Sequence, residues 1–165
     1  LRFNGQDAVS EDTMIMDVAV EFEIIIHQFK KLTDAYREAI KETGISESEF
    51  WVWYTLIAVD GEYTRRDISS IWSISRQHVD AIVKRMVESG YAYPVSGSAA
   101  GSEFIHLTEL GREYGERIVK PIHDIEKKVI AGLPLKDCMA CNAVMCRYIH
   151  AFREEIYDAR EKGQI

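Results

Sequence analysis

Apolar residues in the N-terminal third recur at Ile15, Val18, Phe22, Ile25, Phe29, Leu32, Tyr36 and Ala39. That alternation of three and four predicts one long helix with a narrow apolar seam, suited to packing against another helix. Thr43-Gly44 ends it. Ser46-Glu47-Ser48-Glu49 has the form of a capping box and opens a second helix through Phe50, Trp53, Tyr54, Ile57 and Ala58, which Asp60-Gly61 stops. Thr64, with Asp67 three residues on, caps a short third helix through Ile68, Ile71 and Trp72. After a turn of three residues, Ser73-Ile74-Ser75, a fourth helix gathers Val79, Ile82, Val83, Met86 and Val87 on one face and stops at Gly90.

Beyond Gly90 the period changes. Tyr91–Val95 and Glu103–Leu107 are short β-like runs joined by Ser96-Gly97-Ser98-Ala99-Ala100-Gly101-Ser102, which predicts a hairpin with a flexible tip. Pro94 places the first strand at an edge. Thr108 caps a fifth helix carrying Ile118, Ile122, Ile125 and Val129, with a bend expected at Pro121. Leu133-Pro134 breaks the chain, and a sixth helix carries Met145, Ile149, Phe152 and Ile156. The expected fold is mostly α with a small β-hairpin wing: a winged helix-turn-helix flanked by long N- and C-terminal dimerisation helices. Residues 1–12 read as a disordered or appended N-terminus and 13–45 as the N-terminal dimerisation helix. Residues 46–108 form the winged unit and 109–165 the C-terminal dimerisation helices. The terminal seams exceed what so small a domain buries alone, so a homodimer with helices from both ends packed across a two-fold axis is expected.

Composition narrows the classes. At 47% hydrophobic residues the chain can bury a sizeable core, which argues against wholesale disorder. The sequence has no apolar run of about 18 residues, so no membrane span is expected. Residues 1–14 have no apolar segment of the export-signal kind, and three cysteines suit a reducing cytoplasm better than a disulfide framework. The net charge of −7 belongs to residues 1–61, where 12 acids face 5 bases. In residues 62–90 the balance turns to five bases (Arg65, Arg66, Arg76, Lys84, Arg85) against four acids. Clustered bases on an acidic chain point to local phosphate contacts rather than to general polyanion binding.

Leu107-Thr108-Glu109-Leu110-Gly111-Arg112 resembles the Leu-Thr-x-x-Gly segment that joins wing to helix in the MarR family of bacterial transcription regulators. Thr64-Arg65-Arg66-Asp67-Ile68, Ser75-Arg76-Gln77-His78-Val79 and Glu88-Ser89-Gly90-Tyr91 fit the same pattern in order and spacing. The likeness runs from Ile15 to the C-terminus in element order, and its sequence-specific part from Ser46 to Arg112. It implies a cytoplasmic homodimer that binds pseudo-palindromic double-stranded DNA, most simply a repressor released by a small molecule. The family's wing usually bears an acid and, two positions later, an arginine that enters the minor groove. The corresponding places here are Ala99 and Gly101, both uncharged.

The DNA-binding candidates are Arg65, Arg66, Ser75, Arg76, Gln77, His78, Lys84 and Arg85. Arg and Gln in the first turn of a recognition helix meet guanine and adenine edges, while Lys84 and Arg85 suit phosphates. The resemblance also implies an effector, small and aromatic or amphipathic, held between the dimerisation helices and the winged unit; His27, Trp51, Trp53 and Tyr54 are candidates to line its pocket, against the plainer reading of core packing. Cys138, Cys141, Cys146 and His150 spell a zinc-like C-x2-C-x4-C-x3-H. On one helix, however, Cys138 and His150 stand about 18 Å apart along the axis, so no metal site is expected. A redox role for Cys138 and Cys141 is the thiol alternative, with ordinary helix packing favoured over it. No catalytic constellation and no cofactor is expected. The remaining alternative is a winged-helix dimer that has lost strong DNA binding and serves as a protein-interaction module.

Overall fold

A computed structural model describes residues 11–97 and 102–165. The expectations for residues 1–10 and for the neutral positions Ala99 and Gly101 lie outside the described residues. Six helices and two strands follow in the expected order: α1 (Glu11–Lys41), α2 (Glu47–Ala58), α3 (Arg65–Trp72), α4 (Arg76–Glu88), β1 (Ala92–Ser96), β2 (Glu103–Leu107), α5 (Glu109–Ile130) and α6 (Leu135–Glu161). The chain divides into two compact units, one ending at Lys120 and one beginning at Pro121. Pro121 lies inside α5, which stays helical through it.

The first unit is organised around α2. Phe50, Val52, Trp53 and Thr55 are all buried on it, so this helix has almost no solvent face in its first two turns. Ile40 of α1, Ile68 of α3, Val79, Ile82 and Val83 of α4 and Val119 of α5 complete the core. Each such aliphatic side chain contributes about 1.5–3 kcal/mol by leaving water. α5 approaches α2 at Gly115, where a β-carbon would stand 2.7 Å from the Trp53 ring and 2.9 Å from Ile57.

Local signals set the helix starts. Ser46 Oγ accepts from Glu49 N at 3.2 Å, which is half of the expected capping box. The Glu49 carboxylate turns instead to Arg85 of α4, 3.4 Å away. At α3 the box is complete: Thr64 Oγ1 accepts from Asp67 N (3.2 Å), and Asp67 Oδ2 accepts from Thr64 N (2.9 Å). Both donors sit among the four N–H groups a helix start leaves without intrahelical partners.

The wing sheet is antiparallel, with Ala92 opposite Leu107, Pro94 opposite Ile105 and Ser96 opposite Glu103. The segment before α3 joins its other side. Ile105 N donates to Tyr63 O at 3.0 Å, and Thr64 bridges Phe104. β2 is therefore central and β1 the edge, where the missing N–H of Pro94 interrupts nothing.

The junction from wing to α5 explains the Leu-Thr-x-x-Gly segment. Thr108 Oγ1 donates to Gly90 O (2.7 Å) and accepts from Gly111 N (3.0 Å). Thr108 N donates to Tyr91 O at 3.0 Å. Gly111 lies so close to that strand that a β-carbon would stand 1.9 Å from Tyr91 O. Only glycine fits there.

In the second unit, α6 has no buried residue. Its expected seam is only half-covered or open, with Met145 and Ile156 intermediate and Ile149 and Phe152 exposed. Cys138, Cys141 and Cys146 are free, exposed thiols along this one helix. Among the described residues no single helix is long and apolar enough to cross a membrane.

Candidate nucleic-acid interface

The turn between α3 and α4 is fixed by its own backbone. Ser73 closes α3 in the left-handed region (φ 53°). Ile74 N donates to Ser69 O at 3.2 Å, and Ser69 Oγ donates back to Ile74 O at 2.7 Å. Ser75 then caps α4, its Oγ accepting from His78 N at 3.3 Å. Val79, Ile82, Val83 and Met86 bury one side of α4 against the core. Val87, expected on that side, is 37% exposed because it lies toward the edge facing β1.

The opposite side of α4 is solvent-exposed and carries Arg76, Gln77, His78, Asp80, Ala81, Lys84, Arg85 and Glu88. At 100° per residue, Gln77, Ala81 and Lys84 form its midline and Arg76, Asp80 and Val87 its wing-side edge. An open groove of about 490 Å³ follows that edge, lined by Arg65, Arg76, Asp80, Lys84, Val87, Glu88 and Pro94. It is the space between α4 and the root of the wing.

The candidate cations differ in how they are held. Arg65 is the most enclosed, with its side chain 27% exposed, and it bridges three elements. Its Nη1 meets Glu103 of β2 at 3.0 Å and its Nε meets Asp80 of α4 at 3.7 Å. Arg85 faces Glu49, and Lys84 pairs loosely with Glu88 at 3.8 Å. Arg66 is exposed on the first turn of α3 and, behind the Thr64 hydrogen bonds, helps hold the Asp67 carboxyl below its usual range. No ion pair engages Arg76 among the described residues. The exposed side of α4 thus has one cation at its start, Arg76, with no ion pair among the described residues, while Lys84 and Arg85 are shared with carboxylates.

The four residues proposed for an effector pocket do not converge. Trp51 and Tyr54 do meet, with ring centroids 5.5 Å apart. Trp51 stacks on Trp72 of α3 at 4.1 Å, and Tyr36 of α1 closes the group at 5.3 Å from Trp51. Trp72 Nε1 donates to Thr55 Oγ1 at 2.7 Å. Trp53 faces the other way, fully buried against Tyr91 and Tyr114. His27 is exposed on α1 and faces Glu23 at 3.9 Å. Neither Trp72 nor Tyr36 was a pocket candidate in the sequence; both fell on apolar helix positions, which gave no sign that Trp72 would stack on Trp51 of α2.

No protein-family model matches the sequence, and no curated protein matches it. Solved structures do. A MarR family regulator from Neisseria meningitidis superposes with a TM-score of 0.71 at 20% identity, over 84% of this chain and 97% of that one. MepR of S. aureus, solved in a DNA-binding conformation, gives 0.59 at 15% identity over 82% of this chain and 98% of its own. NadR, solved in complex with 4-hydroxyphenylacetate, gives 0.58 at 17% identity over 75% and 88%. The chain has the fold of MarR family winged-helix regulators, with a hairpin after the helix-turn-helix and long terminal helices.

Proposed function

We propose that the protein is a homodimeric, sequence-specific DNA-binding transcription regulator that presents α4 to the major groove of a pseudo-palindromic operator. The observation that carries this reading is the first turn of α4. Arg76, Gln77 and His78 project from a capped helix start at the end of a rigid turn, and among the described residues Arg76 has no ion pair to give up on meeting a base. Arg66 on the first turn of α3, and Lys84 and Arg85 two turns further along α4, serve as phosphate contacts. Arg65, enclosed between Glu103 and Asp80, acts first as a clamp between α3, β2 and α4.

Release by a small aromatic molecule is the regulatory part of the proposal. NadR was solved with such a ligand. In this chain the half-buried group of Tyr36, Trp51, Tyr54 and Trp72 joins α1 to the helix-turn-helix, and a planar ligand inserted there would shift α3 against α2.

Binding selection from random duplex, followed by titration across a salt series, tests the DNA reading. Arg76→Ala relaxes the preference at one base position in each half-site and costs about 1–3 kcal/mol per contact. Lys84→Ala weakens selected and scrambled duplexes alike and flattens the salt dependence by about one unit per phosphate lost. Equal weakening of both duplexes by Arg76→Ala makes that residue a phosphate clamp only. No enrichment of any sequence by the unmodified protein removes the DNA reading and leaves the interaction module, a reading favoured by the carboxylates Asp80, Glu88 and Glu103 beside the reading face.

A further inference from the structure

A carboxylate stands where a DNA-reading surface is least expected to carry one. Asp80 lies one turn beyond Arg76 on the wing-side edge of α4, and its side chain is 53% exposed toward the groove. Opposite a polyanion this charge is unfavourable unless it is compensated and has a donor to meet. Compensation is already built. Arg65 Nε sits 3.7 Å from Asp80 Oδ1, and Arg65 is itself anchored by Glu103. The Arg65 guanidinium thus stands as a counter-charge beside the Asp80 carboxylate while leaving it exposed at the helix edge.

We infer that Asp80 is a base-discriminating residue, accepting a hydrogen bond from the N4 amine of a cytosine at a fixed offset from the position Arg76 reads. This rests on the DNA-binding reading above. The major-groove edge of guanine offers only acceptors, N7 and O6, and repels a carboxylate, whereas cytosine offers a donor. Four residues along α4 span about 6 Å, so the cytosine lies about one or two base steps from the Arg76 position. A small side chain follows at Ala81, so the residue next to Asp80 on the midline adds no polar contact of its own. Arg76 selecting a guanine and Asp80 rejecting one give the half-site two opposite electrostatic requirements at neighbouring positions, about one or two steps apart.

Selection from random duplex with the unmodified protein, Asp80→Asn and Asp80→Ala tests this, with thermal unfolding of all three as a control on folding. The unmodified protein enriches cytosine at one position per half-site by about tenfold or more over guanine. Asp80→Asn moves that preference to adenine, whose N6 and N7 match a carboxamide. Asp80→Ala loses it and binds scrambled duplex more tightly than the unmodified protein does. An operator common to all three proteins overturns the inference while leaving the DNA reading intact, and so does a uniform loss of affinity without change of sequence, which marks Asp80 as a structural partner of Arg65. No enriched sequence from the unmodified protein overturns both.

Discussion

Asp67 shows how a single side chain couples this fold to pH. Hydrogen bonds from Thr64 Oγ1 and N, and then the charge of Arg66, hold its carboxyl below the ordinary value of 3.8. A carboxyl depressed in the folded state contributes stability that is complete above the unfolded pKa and is lost as pH falls through the folded one. Asp67→Ala is therefore expected to cost about 1 kcal/mol near neutrality, the usual effect of losing such a cap. The gap between variant and unmodified protein should begin to narrow as pH falls below about 4 and close only below the depressed folded-state value, where the carboxyl is protonated in both states. Urea unfolding at pH 7 and pH 3 checks this; a gap of equal size at both values would place the effect of Asp67 elsewhere than in its charge. The pair Thr64 and Asp67 was legible in the sequence because a capping box is a local motif. Arg65, one residue away, was not: its partners Asp80 and Glu103 come from a different helix and from the wing.

Between elements, the decisive junction is the one from the wing into α5. Gly111→Ala forces its new methyl against the Tyr91 carbonyl, an atom that already accepts from Thr108 N and cannot move without loosening the strand. The expected cost is about 3 kcal/mol or more, read as a lowered denaturation midpoint. A midpoint within error of the unmodified protein would show that the helix start can slide away from β1. Periodicity and cap residues in the sequence located all six helices and both strands, with β1 beginning one residue later than the alternation indicated. The third partner of the sheet, Tyr63-Thr64, escaped because two residues before a helix cap are too few to show a strand period. Likewise the aromatic pattern of α2 announced a cluster without saying which rings turn inward. Trp51 and Trp53 lie two positions apart, on opposite sides of the helix, and only one of them enters the core.

At the scale of the molecule, both long terminal helices leave apolar side chains open to solvent, among them Ile15, Val18 and Leu32 on α1 and Ile149 and Phe152 on α6. Seams of this length are characteristic of helices that meet a second copy. Changing Ile149 and Phe152 together to Asp is expected to yield monomers or aggregates at micromolar concentration; a folded, soluble dimer from that double variant, by light scattering, would place the dimer contact elsewhere. The long apolar seams themselves were legible from the heptad-like spacing, and their exposed side chains on α1 and α6 are what that spacing leads one to expect. The pairing of charges around α4 has a consequence of another kind, in time rather than in energy. A surface on which Arg65, Lys84 and Arg85 each face a carboxylate casts little net field into solution, and the chain as a whole is acidic at −7. Were the proposed partner DNA, such a surface would steer it only weakly, and encounters would approach the unsteered range of about 10⁵–10⁶ per molar per second. On the proposed DNA-binding reading, occupancy of an operator then has to come from slow departure, and a regulator that arrives rarely but stays long would answer an effector chiefly through how soon it leaves.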